Sequence, residues 1–293
     1  MSALVVREPT STREACELLA ADPWGTKIVS GGTALVLMMR QGLVAPDSLV
    51  ALWRIPGLSG IERAGEVLRI GATTTLSEVA ASPLVRAVAP SLAQACSVVG
   101  NPRVRNVATL GGNLAEADYA SDPPAALASL GARCHVTGTN GSREIPVRDL
   151  ITGFYETVLD PTELITHIDV PVAGPGRRAT YLKFRTRSSE DRPCVGIAAR
   201  LDLDDHGLVR ELDVVVAAVA PTLHRVPEVL HAVVGRPLDT ELVAEVARSY
   251  AAAVDPLEDA RGSAWYRRRM VEVLVRRALQ RLITPEQEVN PGG

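Results

Sequence analysis

An α+β fold in two parts is what this sequence predicts, and three observations carry it. Short apolar strand patterns alternate with helical ones from Leu4 to Leu52, as a compact β-α-β-α-β unit requires. Two glycine pairs follow apolar stretches, in Ser30-Gly31-Gly32-Thr33 and in Thr109-Leu110-Gly111-Gly112-Asn113. Beyond residue 177, three strand patterns are followed by three helical ones, which describes a sheet with helices packed on one face.

Taken in order, Leu4 to Val6 reads as a strand, and Ser11 to Glu14 forms a capping box for a helix with Ala15, Leu18 and Leu19 on one side. Lys27 to Ser30 is the next strand; after the glycine pair, Leu35, Met38, Met39 and Leu43 continue as a helix, and Ser48 to Leu52 returns as a strand. Leu58 to Glu62 and Val67 to Ile70 flank Ala64-Gly65 as a hairpin. One helix starts near Thr75, and a second at Pro90-Ser91 carries Leu92, Ala95, Val98 and Val99 toward a core. The Thr109 loop precedes a helix from Pro123 to Leu130, with Asp122 at its N-cap and proline at the tolerated first position. Arg133 to Thr137 and Arg143 to Val147 form another hairpin, and Leu164 to Val170 a last strand of this part. A linker at 173–178 leads to strands at Ala179 to Thr186, Val195 to Leu203 and Leu208 to Ala218, then to helices at Pro227 to Val234, Thr240 to Ala253 and Ser263 to Ile283. The expected division is 1–172, with subdomains of about 1–56 and 57–172, then 177–284, and a polar tail at 285–293.

Composition narrows the function. With 46% hydrophobic and 22% charged residues in 293, the chain can bury sizeable cores, and a net charge of −3 gives no footprint for nucleic acid or an anionic membrane. The amino terminus lacks a targeting pattern and no stretch has the length of a membrane span, so a cytoplasmic location is expected. Cys16, Cys96, Cys134 and Cys194 are scattered and the five histidines show no metal spacing; neither zinc nor an iron–sulfur cluster is expected in this chain. His167, two residues from Ile165 on a strand, reads as ordinary. Only two of 31 basic residues are lysine, Lys27 and Lys183, which marks both as positions where a guanidinium does not serve.

The glycine pairs point to anion binding, because backbone N–H groups can approach a phosphate where no Cβ intervenes. In Lys27-Ile28-Val29-Ser30-Gly31-Gly32-Thr33-Ala34-Leu35 the start of a helix adds its positive dipole end. Thr109, Gly111, Gly112 and Asn113 offer a second cradle, and two cradles suit a diphosphate. By contrast, Gly174-Pro175-Gly176-Arg177-Arg178-Ala179 matches a dinucleotide pattern only formally, since Pro175 lacks an N–H and a strand follows.

Ser-Gly-Gly-Thr after a strand, then Val104 to Asn113, Ser121-Asp122-Pro123-Pro124 and Tyr181-Leu182-Lys183-Phe184-Arg185-Thr186-Arg187, resembles the FAD-binding (medium) subunit of the xanthine dehydrogenase and carbon monoxide dehydrogenase family of molybdenum hydroxylases, over Val5 to about Arg281. The resemblance implies a two-subdomain FAD-binding fold of the vanillyl-alcohol-oxidase type, then an α+β domain with a three-stranded antiparallel sheet and a helical bundle. It implies FAD held non-covalently by residues 27–35 and by Thr109, Gly111, Gly112 and Asn113, with Asp122 toward the adenosine, Ile165 and Val99 lining the flavin ring, and Lys183 beside it as a cation that favours the reduced form. Relatives often carry a carboxylate where this chain has Ala34, and an aromatic residue at Val99. The implied partners are a small subunit with two [2Fe–2S] clusters, a large molybdenum subunit and an external electron acceptor. An alternative is a stand-alone flavoenzyme acting directly on a small organic substrate, kept open by the segment Glu190 to Cys194, which the resemblance places near where relatives often carry an aromatic or bulky residue over the flavin.

Overall fold

The computed structural model describes residues 4–172, 174, 176–188 and 190–284; part of the expected linker, at 173 and 175, and the tail at 285–293 lie outside the described residues. The chain begins with β1 (Val5–Arg7), α1 (Thr12–Ala21), β2 (Thr26–Val29), α2 (Leu35–Arg40) and β3 (Ser48–Ala51), whose strands form a parallel sheet in the order β1-β3-β2. Ser11 caps α1 by accepting from the Glu14 amide, as the sequence pattern requires. Helix α2 stops at Arg40, short of the expected Leu43, because Gly42 takes a left-handed φ of 72°.

A larger unit follows: β4 (Ile61–Ala64), β5 (Val67–Gly71), α3 (Leu76–Ala81), α4 (Pro83–Val88), α5 (Pro90–Ser97), α6 (Pro102–Arg105), α7 (Leu110–Glu116), α8 (Pro123–Ser129), β6 (Arg133–Gly138), β7 (Gly141–Pro146), α9 (Val147–Leu150), β8 (Ile151–Gly153), β9 (Glu156–Thr157) and β10 (Leu164–Pro171). Five of its strands make an antiparallel sheet in the order β4-β5-β10-β6-β7, covered on one face by the helices. Several local expectations change. The helix near Thr75 is two, since Ser82 caps a new one with Pro83 in its first turn. Helix α5 ends at Ser97 and leaves Val98 and Val99 in the following turn. The Thr109 "loop" is the first turn of α7: Thr109 Oγ1 accepts from the Gly112 amide, and that cap offsets the poor helix propensity of the glycines. Arg143 to Val147 is not strand throughout, and α9, β8 and β9 occupy a stretch with no clear period in the sequence.

The last unit comprises β11 (Arg178–Phe184), β12 (Val195–Leu203), β13 (Val209–Ala217), α10 (Pro227–Ala232), α11 (Thr240–Ala253) and α12 (Ala264–Ile283), with an antiparallel sheet β11-β12-β13. Helices cover both faces of this sheet, not one. Its own α11 and α12 build one core, while α5 and α8 of the preceding unit pack on the other. The sequence explains why: α8 is rich in alanine and β12 turns Gly196 and Ala198 toward it, so helix and strand approach closely. A Cβ on Gly196 would stand 2.6 Å from the Tyr181 hydroxyl. No helix among the described residues is long and apolar enough to cross a membrane.

Arg267, fully buried in α12, fastens this unit: it donates to the carbonyls of Cys194 (2.8 Å) and Ala218 and pairs with Asp259. Burial pushes the Asp259 carboxyl up, but hydrogen bonds from Arg261 and Arg267 outweigh it and hold the group well below the usual carboxylate range. A depressed folded pKa means that this stabilisation is complete above the ordinary carboxylate pKa and is lost as pH falls toward the folded value. Arg267→Met, which strands two buried carbonyls and a carboxylate, is expected to lower the unfolding free energy by about 3 kcal/mol in a neutral-pH urea titration, with a smaller deficit below pH 3.

Candidate cofactor-binding groove

Between the parallel sheet and the antiparallel one lies a groove of about 620 Å³, within the range of small-molecule and cofactor sites. Its floor starts where β2 ends. Buried Val29 hands the chain to Ser30-Gly31-Gly32-Thr33, where Gly32 takes φ 67°, a conformation costly for any residue with a side chain. Gly31 is glycine for another reason. A Cβ there would lie 2.1 Å from the Val107 carbonyl oxygen, so this turn rests directly on the backbone that leads into Thr109. The amides of Gly31, Gly32, Thr33 and Ala34 have no turn or capping partner among the described residues, and α2 has no side-chain cap. Unsatisfied donors grouped on one turn are the chemistry of an anion cradle.

The second glycine pair differs. Leu110 N donates to Thr74 O (2.9 Å), Gly111 N to Ala72 O (2.8 Å), Gly112 N to Thr109 Oγ1 (3.2 Å) and Asn113 N to Thr109 O (2.9 Å). Its amides are therefore committed, and the expected pair of backbone cradles reduces to one. Gly111 serves packing, since a Cβ would meet that of Ala72 at 2.6 Å. What this turn offers the groove is side chains: the Thr109 hydroxyl, whose proton is free to donate, and Asn113, whose Oδ1 accepts from Ser121 Oγ at 2.9 Å.

The remaining lining is mostly apolar and brings together most of the residues singled out in the sequence: Lys27, Ile28, Val29, Ser30, Gly31, Gly32, Thr33, Ala34, Leu35, Thr109, Gly111, Gly112, Asn113 and Ile165. The side chain of Lys27, half-buried on β2, has no hydrogen-bond or ion-pair partner among the described residues. Ile165 reaches the groove from β10 just before a bulge in that strand's pairing with β6. Of the residues at the edge of the groove, the sequence pointed only to the segment that contains Arg192 and missed Glu116, Asp118 and Tyr155. Arg192 pairs with Asp118 (2.9 Å) and reaches the Tyr155 hydroxyl (3.4 Å), while Glu116, whose carboxyl is pushed up by burial and by Asp118, lies beneath. Nothing in their spacing signals that three separate segments meet here. A larger hollow of about 770 Å³ between β11 and α12 is lined by residues such as Arg277 and Gln280 and contains no glycine turn.

Val99, Asp122 and Lys183 do not line the groove; they belong to the junction with the last sheet. Asp122 stands at the start of α8 but makes no capping bond, contrary to expectation. Its carboxylate accepts instead from Tyr181 Oη (2.6 Å) and Lys183 Nζ (2.8 Å), and Lys183 also donates to Val98 O (2.9 Å). Both ion-pair side chains are 3% exposed. Burial raises the Asp122 carboxyl and lowers the Lys183 ammonium, each opposed by the partner's charge. Tyr181 and Lys183, near the end of β11 at Phe184, thus form a buried network with Asp122, and the lysine charge is compensated within the fold. Val99 O accepts from Arg105 Nη1 at 2.9 Å in the adjoining turn.

Lys183→Met leaves Asp122 buried without its counter-charge and is expected to cost about 3 kcal/mol in unfolding free energy. Adding Asp122→Asn to it should recover more than half of that loss in the same denaturant titration; no recovery would show that the two side chains are not coupled.

Comparisons with known proteins agree with this architecture. The family described as the FAD binding domain in molybdopterin dehydrogenase matches residues 2–173, and the CO dehydrogenase flavoprotein C-terminal domain matches residues 179–282. The carbon monoxide dehydrogenase medium chain of Hydrogenophaga pseudoflava is 32% identical over 271 residues, covering 92% of this chain and 94% of that one. The nicotine 6-hydroxylase medium subunit of Paenarthrobacter nicotinovorans is 31% identical over 279 residues, covering 95% and 97%. Among solved structures, carbon monoxide dehydrogenase from Hydrogenophaga pseudoflava superposes with a TM-score of 0.91 at 33% identity, covering 94% of this chain and 96% of that chain. With both domains matched in order and nearly the full length shared, the chain belongs to the family of FAD-binding medium subunits of molybdenum hydroxylases.

Proposed function

We propose that this chain holds FAD in the groove between its parallel and antiparallel sheets, with the diphosphate on the free amides of Gly31 to Ala34. The orphaned amides carry this reading: four unpartnered donors on one turn, beside an unpaired Lys27, are what a diphosphate satisfies. Bound FAD supplies electron exchange between the [2Fe–2S] clusters of a small partner subunit, fed by a large molybdenum subunit, and an external acceptor.

The chain's own residues bind and shield. Lys27 brings a cation to the anionic centre, Thr109 and Asn113 hydrogen-bond from the opposite wall, and Ile165 with Leu35 supplies apolar contact. Arg192, Asp118 and Tyr155 close the mouth toward the carboxy-terminal unit and restrict access of water and acceptor. Val99, Asp122 and Lys183 complete the proposed set from outside the groove lining, where the Asp122–Lys183 pair fixes the junction of two proposed domains, 1–172 and 177–284. A groove lining with neither His nor Cys among the described residues supports non-covalent attachment. Buried, unpaired cysteines suit a reducing cytoplasm, and the net charge of −3 suits protein partners rather than nucleic acid.

Lys27→Gln removes one charge-assisted contact worth about 1.5 kcal/mol, so FAD affinity measured by flavin fluorescence is expected to fall about tenfold with folding unchanged. Unaltered affinity would place the diphosphate elsewhere. Expressed with the two partner genes, the chain should elute as one complex whose substrate-driven flavin reduction disappears when either partner is withheld; turnover by the lone chain would favour a self-sufficient flavoenzyme.

A further inference from the structure

The outer face of the five-stranded sheet carries a cluster that the proposed function does not use. Between Ile165 and His167, β10 has one residue more than its partner β6: Ile165 sits opposite Val136 and His167 opposite His135, leaving Thr166 as the extra residue of a bulge. The bulge turns the strand over. Ile165 stays with the core, whereas His167 joins Asp169 on the far face, directly across from His135. The two imidazoles stack with centroids 4.1 Å apart and planes 14° from parallel.

Hydrogen bonding fixes the tautomer of His167. Thr166 Oγ1 donates to the His135 carbonyl at 3.1 Å, so its oxygen accepts from His167 Nδ1 at 3.0 Å. The ring proton is thereby on Nδ1, and Nε2 carries a bare lone pair. That nitrogen is buried and has no hydrogen-bond partner among the described residues. His135 Nε2 lies 3.0 Å and His167 Nε2 4.0 Å from Asp169 Oδ2, and the three atoms all fall within 4.8 Å of one another. Two imidazoles and a carboxylate, one imidazole oriented through its other nitrogen, make a ligand set for a borderline divalent metal.

We propose that His135 Nε2, His167 Nε2 and Asp169 Oδ2 bind one divalent ion of the Zn²⁺ type, with water completing its coordination. Binding requires a bare lone pair on His135 Nε2, so any proton on that nitrogen is released to solvent. Arg69 holds Asp169 through both oxygens, at 2.9 and 2.8 Å, and its charge opposes the ion, while Glu144 Oε1, 3.7 Å from His135 Nδ1, favours it. The site ties β10 to β6 at the bulge that sets the position of Ile165, and its three ligands lie outside the groove lining.

The test is a Zn²⁺ titration of the chelator-stripped, flavin-loaded full chain by calorimetry, with Co²⁺ absorbance as a second probe. One ion per chain is expected, at least tenfold weaker in His135→Ala and in His167→Ala, and unchanged in His206→Ala and His231→Ala, whose side chains are exposed elsewhere. Thr166→Val, which frees the tautomer, should also weaken binding while the chain stays folded. If the histidine variants do not fold, imidazole NMR of the wild-type chain decides: Zn²⁺ must shift His135 and His167 ahead of the other three. Absence of stoichiometric binding, or binding indifferent to these residues, overturns the proposal.

Discussion

Everything about the groove depends on how closely one backbone turn rests on another. Gly31 has no side chain, and the Val107 carbonyl occupies the space a Cβ would need, so the end of β2 and the approach to α7 share one surface. Once they are joined, the amides of Gly31 to Ala34 have no acceptor among the described residues, while those of Leu110 to Asn113 are consumed by Thr74, Ala72 and Thr109. The two glycine pairs look equivalent in sequence and are opposite in chemistry. One presents donors; the other buries them and presents side chains.

A second constraint operates at the far end of the same unit. The alanine-rich α8 and the small residues of β12 let the carboxy-terminal sheet be covered on both faces, and that close packing encloses Asp122, Tyr181 and Lys183. A buried carboxylate needs its cation, and the cation needs the Val98 carbonyl; together they set the turn that contains Val99. The rare lysine at 183 is thereby explained by geometry: a single ammonium donates in two directions from a narrow buried space, which a forked guanidinium does not match.

Much of the architecture was legible because it rests on local signals. Capping by Ser11 and Thr75, proline at the first turn of α5 and α8, and the apolar runs of β10 and β13 place most elements within a few residues. The groove floor was legible for the same reason, since a strand, a glycine pair and a helix follow one another in sequence. Three features were not. The helical state of Gly111 and Gly112 depends on a Thr109 cap and on tertiary acceptors at Ala72 and Thr74; the closure by Tyr155, Asp118 and Arg192 joins segments far apart in the chain; and the bulge at Thr166 reverses the side-chain alternation that made His167 look ordinary. Each depends on a partner that no local spacing reveals.

The central claim is that the first glycine turn alone supplies the backbone cradle. Amide hydrogen exchange of the chain with and without FAD tests it most directly, read separately at residues 31–34 and 110–113. The account predicts strong protection on FAD binding at 31–34, where the amides are free, and little change at 110–113, where they are already bonded. Equal protection of both turns, or protection at 110–113 alone, would contradict it.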